Sequence, residues 1–482
     1  MKKIKLLLLT LTLTLLLTAL PITLTSCSPS LRLRMLKGEE QAAYFFGVVN
    51  QNAAEATSCT TQQTMLLRME LNGKSYEQIT EGTITTIGQG EDMTTLTQSE
   101  TTVTVGGELP VISRHDYGFA DGEMFLYHKA DGHESKLRSP ITAAEYEHFE
   151  EDQRRDDPDI TIGEGYCETM SCTQNEDKTW TATYTDFTDE GMRPFLKMLA
   201  GVEFAVTADH DLAGVRMTCN ADESLSLTAL TIEFLFEANP EAESAVPEVR
   251  VDYAYRGWNN TVLAEPYDIS DFTEVEDVRY VERFLEALSD RETADSGEFD
   301  VEASSTLSYG EKSETDKASQ KVSFSTKDGY HFTLDSAQNG YNIHINFRDG
   351  IMNTTVYDPE SGQKVSDSSD KISNFEARAS VQQLMNSNGI RGLDMAGAEL
   401  VDEERGIYRF ALGESVRDMF SERYGAEAEG FTGTIEATIV DGALLSYIYD
   451  VTADFNVFGQ TVTASSRLTV TFRELTEGGE TI

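Results

Sequence analysis

Alternation of apolar and polar residues is clearest near the C-terminus. Leu445, Tyr447, Tyr449, Val451, Ala453, Phe455 and Val457 alternate with the mostly polar Ser446, Asp450, Thr452, Asp454 and Asn456. After Gly459, Val462, Ala464, Leu468, Val470 and Phe472 alternate with Thr463, Ser465, Arg467, Thr469 and Arg473. Successive side chains on a strand point to opposite faces, so a period of two predicts antiparallel strands with one face buried and one wet. Leu230, Ile232, Phe234 and Phe236, followed by Val249, Val251, Tyr253 and Tyr255, predict the same ending for the first half of the chain.

Helical spacing punctuates these strands in an order that occurs twice. The stretch from Glu40 to Ala54 carries Phe45, Val48 and Val49 at helical spacing. In the second half Val281, Phe284, Leu285 and Leu288 do the same, with Thr273 and Glu276 as a capping box ahead of them. Each opening helix precedes threonine-rich strands and an Asp-Gly corner, Asp121-Gly122 before Tyr127 and Asp349-Gly350 before Tyr357. Asp-Gly suits a two-residue hairpin because the turn needs positive φ. Thr142 and Glu145 then cap a short helix carrying Tyr146 and Phe149, matched by Phe375, Val381, Leu384 and Met385. A third helix follows in each half, with Met192, Phe195, Leu196 and Leu199 before Gly201, and Val416, Met419, Phe420 and Tyr424 before Gly425. The expectation is an α+β fold of two tandem repeats, each a curved antiparallel sheet, or half-barrel, partly covered by short helices. Residues 39–268 and 269–482 would form the two domains, divided between Glu265 and Asp271, where Pro266 and polar residues break the pattern.

The N-terminus has a different character. Lys2, Lys3 and Lys5 precede a Leu/Thr run from Leu6 to Leu24, and Leu24-Thr25-Ser26-Cys27 follows. The run is just long enough to span a bilayer as a helix, which leaves an uncleaved anchor as the alternative. The small residues before Cys27 resemble the lipobox of bacterial lipoproteins. That resemblance implies a signal peptide over 1–26, a diacylglycerol on the Cys27 sulfur, and a membrane-proximal linker over 27–38 containing Arg32, Arg34 and Lys37. It places the chain on the extracytoplasmic face of the cell membrane, its partner being that membrane through the lipid anchor.

Charge narrows the partners further. With 83 acidic and 38 basic residues the formal charge is −45, a field that repels nucleic acid. Cys59, Cys167, Cys172 and Cys219 all fall in the first half. In an exported chain they could form two disulfides, in any of three pairings, or stay as buried thiols.

Catalytic patterns are not found. The chain has no Gly-x-Ser-x-Gly elbow, no His-Glu-x-x-His pair and no phosphate-binding loop, so no enzyme activity, cofactor or metal is expected. His115, His128, His133 and His148 share an acidic stretch, but their irregular spacing reads as surface histidines. Asp358-Pro359-Glu360-Ser361-Gly362 and the segment from Asp367 to Asp370 read as acidic loops without the spacing of a calcium hand.

An antiparallel sheet with short helices on its apolar face, repeated after a lipobox, resembles the lipoprotein-carrier superfamily of half-barrels. This superfamily includes the periplasmic carrier of outer-membrane lipoproteins and the mycobacterial glycolipid-binding lipoproteins. The resemblance implies that Tyr447, Tyr449, Val451 and Phe455 face a concave interior, where they line a cavity or fill a core. Two functions follow. A carrier of lipid or another hydrophobic ligand needs an apolar cavity of several hundred cubic ångströms in each domain. A non-catalytic structural or interaction lipoprotein has filled cores, and its acidic outer face meets an envelope protein or polysaccharide.

Overall fold

A computed structural model describes residues 29–473, apart from 72–73, 89–91, 131–132, 155–161, 164, 201–209, 211, 240–244, 263–266, 328, 339, 373, 387–394 and 458. The signal peptide expected over 1–26, and Cys27, Gly201 and Pro266, therefore lie outside the described residues.

The chain opens with α1 (Pro29–Met35) and α2 (Gly38–Ala54). Six strands follow: β1 (Ser58–Leu71), β2 (Lys74–Ile87), β3 (Thr94–Val105), β4 (Val111–Ala120), β5 (Glu123–Ala130) and β6 (His133–Pro140). Then come α3 (Ala143–Arg154), β7 (Cys167–Gln174), β8 (Trp180–Phe187), α4 (Asp189–Ala200), β9 (Leu212–Ala221), β10 (Leu227–Phe236) and β11 (Glu248–Arg256). After the short β12 (Thr273–Glu274), the second half begins with α5 (Arg279–Thr293). Its six strands are β13 (Ser296–Tyr309), β14 (Lys312–Ser325), β15 (His331–Gln338), β16 (Tyr341–Arg348), β17 (Ile351–Tyr357) and β18 (Lys364–Lys371). α6 (Asn374–Met385), β19 (Met395–Asp402), β20 (Ile407–Leu412), α7 (Glu414–Tyr424), β21 (Ala428–Val440), β22 (Ala443–Val457) and β23 (Gln460–Arg473) complete it.

The strands form two large sheets, neither closed into a barrel. One runs β12-β6-β5-β4-β3-β2-β1-β11-β10-β9-β8-β7, the other β18-β17-β16-β15-β14-β13-β23-β22-β21-β20-β19. All neighbours are antiparallel except β12, which adds to the edge of β6 in parallel. Among the described residues, two-residue Asp-Gly turns close three hairpins, with φ of 54° and 79° at Asp121 and Gly122, 51° and 74° at Asp349 and Gly350, and 51° and 81° at Asp441 and Gly442.

Burial follows the alternation, with one slip of phase. In β22 the residues Tyr447, Tyr449, Val451, Ala453 and Phe455 are all buried. Leu445, expected in phase with them, is only half-buried, and Leu444 is buried instead. Thr438 pairs with Ser446 while the next residue, Ile439, pairs with Leu444. Leu445 is therefore the extra residue of a β-bulge, and a bulge shifts the inward phase by one.

The expected capping box at α5 does not form. Thr273 lies in β12, opposite Leu137, and the Glu276 carboxylate accepts from the Leu400 N–H at 3.3 Å. The first donors of α5 are met otherwise: the Val278 N–H donates to Ser139 Oγ at 3.0 Å and the Arg279 N–H to Asp277 Oδ1 at 2.9 Å. At α3 the box does form, with Glu145 N–H donating to Thr142 Oγ1 at 3.2 Å and Thr142 N–H to Glu145 Oε2 at 2.8 Å. α7 ends on Gly425 at φ 65°, the left-handed C-cap expected of it.

Two main cores result, and they do not divide at the boundary between the halves. Leu33 of α1, Phe45 and Val49 of α2, Trp180, Tyr184 and Val251 belong to one. The second gathers Phe119, Met124, Leu137 and Tyr146 from the first half with Phe284, Phe299, Phe410 and Tyr447 from the second. Residues 29–35, read from the sequence as linker, are thus a helix that contributes to a core. On the other face of the first sheet, Tyr267 stacks on Phe125 at 4.8 Å, beside Phe272. Gly118 permits this, since a Cβ there would lie 2.8 Å from Phe125 Cζ and 2.2 Å from the Thr95 carbonyl oxygen.

Candidate functional site: a polar groove on the second sheet

The apolar face of the second sheet is a packed core. Phe284 of α5 stacks on Phe410 at 5.1 Å and meets Tyr447 edge-on at 6.3 Å. The Tyr447 hydroxyl donates to the Met385 carbonyl at 2.5 Å, which satisfies the polar end of a fully buried ring. Burial pushes the Tyr449 phenol above its ordinary range. A volume of about 220 Å³ opens at the rim of this core, lined by Phe299, Phe324, Met385 and Phe472 with Arg291 beside them. Ligand pockets usually exceed about 300 Å³.

Larger volumes lie on the opposite, polar face. Two adjoining hollows of about 620 Å³ and 890 Å³ share Glu302, Ser319, Ala337 and Asn342. Together they make one groove across β23, β13, β14, β15 and β16. Register sets its rows. Thr469, Glu302, Ser319, Ala337 and Asn342 stand opposite one another strand by strand, and Arg467, Ser304 and Lys317 form the next row. Small side chains at Ser304, Ser319 and Ala337 leave the floor low, while longer ones at the margins raise the walls.

Charges in the groove fall into two groups. Arg473 pairs with Asp300, Arg467 with Asp450 at 2.6 Å, and His344 with Asp335 at 2.7 Å. Lys317, Lys321 and Glu302 make no ion pair among the described residues, and the Asn342 side chain makes no hydrogen bond among them. The lining holds four Lys or Arg against three Asp or Glu, in a chain whose formal charge is −45. Lys317 and Lys321 lie on one face of β14, four residues and therefore about 13 Å apart. A polar chain laid across the groove would meet hydroxyls, an amide and two uncommitted ammonium groups, with the half-exposed Tyr341 at the rim.

The candidates read from the sequence lie elsewhere. Cys27 is outside the described residues, and Cys59, Cys167, Cys172 and Cys219 are free thiols. Cys172 and Cys219 both stand opposite Ala182, one strand to either side. Their spacing of two strands is about 9.5 Å, beyond the roughly 7 Å that a disulfide can bridge. Burial pushes Cys172 up to about 11 and Cys219 up to about 12, so both stay protonated and unreactive at neutral pH. Cys167 donates to the Thr185 carbonyl at 2.9 Å.

His115 and His128 are brought together as cross-strand neighbours, ring centroids 5.9 Å apart, and His115 Nε2 lies 3.5 Å from Glu282 Oε1 on α5. His148 is exposed on α3, and the side chain of His133 lies outside the described residues. No group of three or more ligands placed to hold a metal occurs among the described residues. Asp358 closes a turn by accepting from the Ser361 N–H at 2.7 Å. The segment from Asp367 to Asp370, read as a loop, is part of the edge strand β18.

The groove residues were missed because the strand period weighs the buried face. A signal was present in Lys312 to Lys321, a run polar on both faces, too long for a turn and too polar for a core strand.

No protein-family model matches the chain, and no curated protein matches it. Among solved structures, a DUF1329 family protein from Desulfovibrio piger is 15% identical and aligns over 42% of this chain and 95% of its own, with a TM-score of 0.18. A protein of unknown function from the DUF3598 family of Nostoc punctiforme is 7% identical over 86% of this chain and 94% of its own, with a TM-score of 0.12. At these TM-scores the likeness carries no inference about function.

Proposed function

We propose that the chain is a lipid-anchored, extracytoplasmic binding protein, without catalytic activity, that holds an acidic saccharide chain of the cell envelope on the outer face of its second sheet. The observation that carries this reading is the placement of the volumes: the larger described hollows lie on the outer face and are lined mainly by polar and charged residues, while the inward residues are buried among themselves. A peptide would be taken up along a free sheet edge or through alternating side-chain pockets. The groove offers a face of hydroxyl and amide groups, which suits sugar hydroxyls, and its two free lysines suit acidic substituents. The lipobox at Cys27 supports the anchor. In this reading the two sheets are tandem copies of one half-barrel, since each is built as helix, six strands, helix, two strands, helix and three strands. The membrane and an envelope polysaccharide are its partners.

A hydrophobe carrier remains the second reading. It is favoured by the helices over the apolar faces and by the rim opening of about 220 Å³ beside Phe299 and Met385.

The deciding measurement titrates the purified full-length protein with polysaccharide released from its host's envelope. We expect saturable binding that weakens about tenfold, equivalent to about 1.4 kcal/mol, in a Lys317→Glu, Lys321→Glu variant. No binding to the polysaccharide, together with a lipid-sized adduct in native mass spectrometry, would overturn the saccharide reading in favour of the carrier.

A further inference from the structure

We infer that α1 is an interfacial foot, lying on the bilayer surface and fixing how the body is presented to the envelope. This rests on the lipid-anchor reading of Cys27. Only Ser28 separates Cys27 from Pro29, the first residue of α1. A chain spans at most about 3.6 Å per residue, so acylation of Cys27 would bring the start of α1 within about 7 Å of the lipid-bearing residue.

The helix is not a free tether. Leu33 is fully buried in the first core. Its carbonyl accepts from Gln41 Nε2 at 2.9 Å, and the Arg32 guanidinium sits 4.8 Å from the centroid of the Tyr44 ring. α1 therefore moves with the body. A domain anchored this closely has one surface committed to the membrane.

That surface has the composition a bilayer needs. Leu31 and Met35 are 48% and 59% exposed. They lie two residues to either side of Leu33, which is about 200° of helical turn, and four residues apart, so they share the face opposite the core contact. Arg32, Arg34 and Lys37 are exposed as well, and between Pro29 and Gly38 there is no acidic residue. In a chain of formal charge −45 this is a local reversal of sign, placed where anionic headgroups would be met. Two exposed apolar side chains with cations around them match the arrangement of an interfacial helix.

The test uses the full chain, lipidated and reconstituted into phosphatidylcholine and phosphatidylglycerol vesicles carrying brominated acyl chains. In a Leu31→Trp variant, and independently in Met35→Trp, we expect tryptophan emission to be quenched, more by bromine near the headgroup than by bromine deep in the chain. The parent protein supplies the background from Trp180 and Trp258. Flotation of the vesicles is measured in parallel with a Cys27→Ser variant. If the parent floats and Cys27→Ser does not, yet neither tryptophan variant is quenched, the foot is overturned and the anchor stands. If Cys27→Ser floats as well as the parent, or the parent does not float, the anchor reading fails and the foot falls with it.

Discussion

β6 and β18 hold the same place in their halves, sixth and last of the strands that follow the opening helix, yet they meet opposite surroundings. On β6 the residues Ser135, Leu137 and Ser139 are buried. Its outer edge takes up β12, and its two serines serve the other half of the molecule. Ser135 Oγ accepts from the Met395 N–H at 2.7 Å and Ser139 Oγ from the Val278 N–H at 3.0 Å. On β18 every residue is exposed. Lys364, Asp367, Asp370 and Lys371 line it, with Lys364 and Asp367 paired at 3.1 Å. Charge along an open edge discourages pairing with another chain. Both strands are short and polar, so polarity alone does not say which one is wet. What separates them is whether a backbone donor from elsewhere in the fold reaches the hydroxyls.

The largest test of that contrast is truncation of the one apolar side chain buried on β6. Leu137→Ala removes a side chain from a core shared by both halves and should cost about 2–5 kcal/mol. Val365→Ala on β18, where the side chain is 57% exposed, should change stability by less than about 0.5 kcal/mol. Urea unfolding of the two variants measures both. Equal losses would mean that β6 is no more an interface than β18. Next in size is Ser139→Ala, which leaves the buried Val278 N–H without its acceptor and should cost about 1–3 kcal/mol. Hydrogen exchange at the Val278 amide should accelerate in that variant, and unchanged protection would rule out Ser139 as the cap of α5.

Much of this organisation is legible in the sequence, and the exceptions share one physical cause. The inward run from Tyr447 to Phe455 was readable because a period of two reports a buried face directly. Leu445 was not, since its bulge is set by where β21 slips in register, which no local period records. Thr142 with Glu145 and Thr273 with Glu276 are the same pattern in the sequence. Only the first becomes a cap, because Thr273 is claimed by the edge of β6, a strand from the first half. The groove is the extreme case. It draws on five strands whose adjacency follows from sheet order, with β23 inserted beside β13, so Arg467, Glu302 and Asn342 could not be grouped from spacing along the chain. The shared core was hidden for the same reason, since β6 and β19 come from different halves.

The smallest expected effect concerns the helix that follows β6. Glu145 caps α3 and also lies 3.8 Å from Arg279, at the start of α5, so it stands where the two halves meet. Hydrogen bonding from the Thr142 backbone N–H, then from its hydroxyl, holds the Glu145 carboxyl below its ordinary value. A group whose pKa is depressed in the folded state stabilises the fold fully above its unfolded pKa, about 4.3 for a glutamate, and that contribution is lost as the pH falls through the lower, folded value. The side chain is half exposed, so screening keeps the effect to about 0.5 kcal/mol or less. The other carboxylates titrate in the same range, and comparison with Glu145→Gln removes their common contribution. The stability difference between parent and variant, read from urea midpoints, should be constant from neutral pH down to about 5 and shrink below about 4.3. A difference that persists unchanged to lower pH would mean that Glu145 holds α3 by shape alone, and that its charge does nothing at the junction which sets β6 apart from β18.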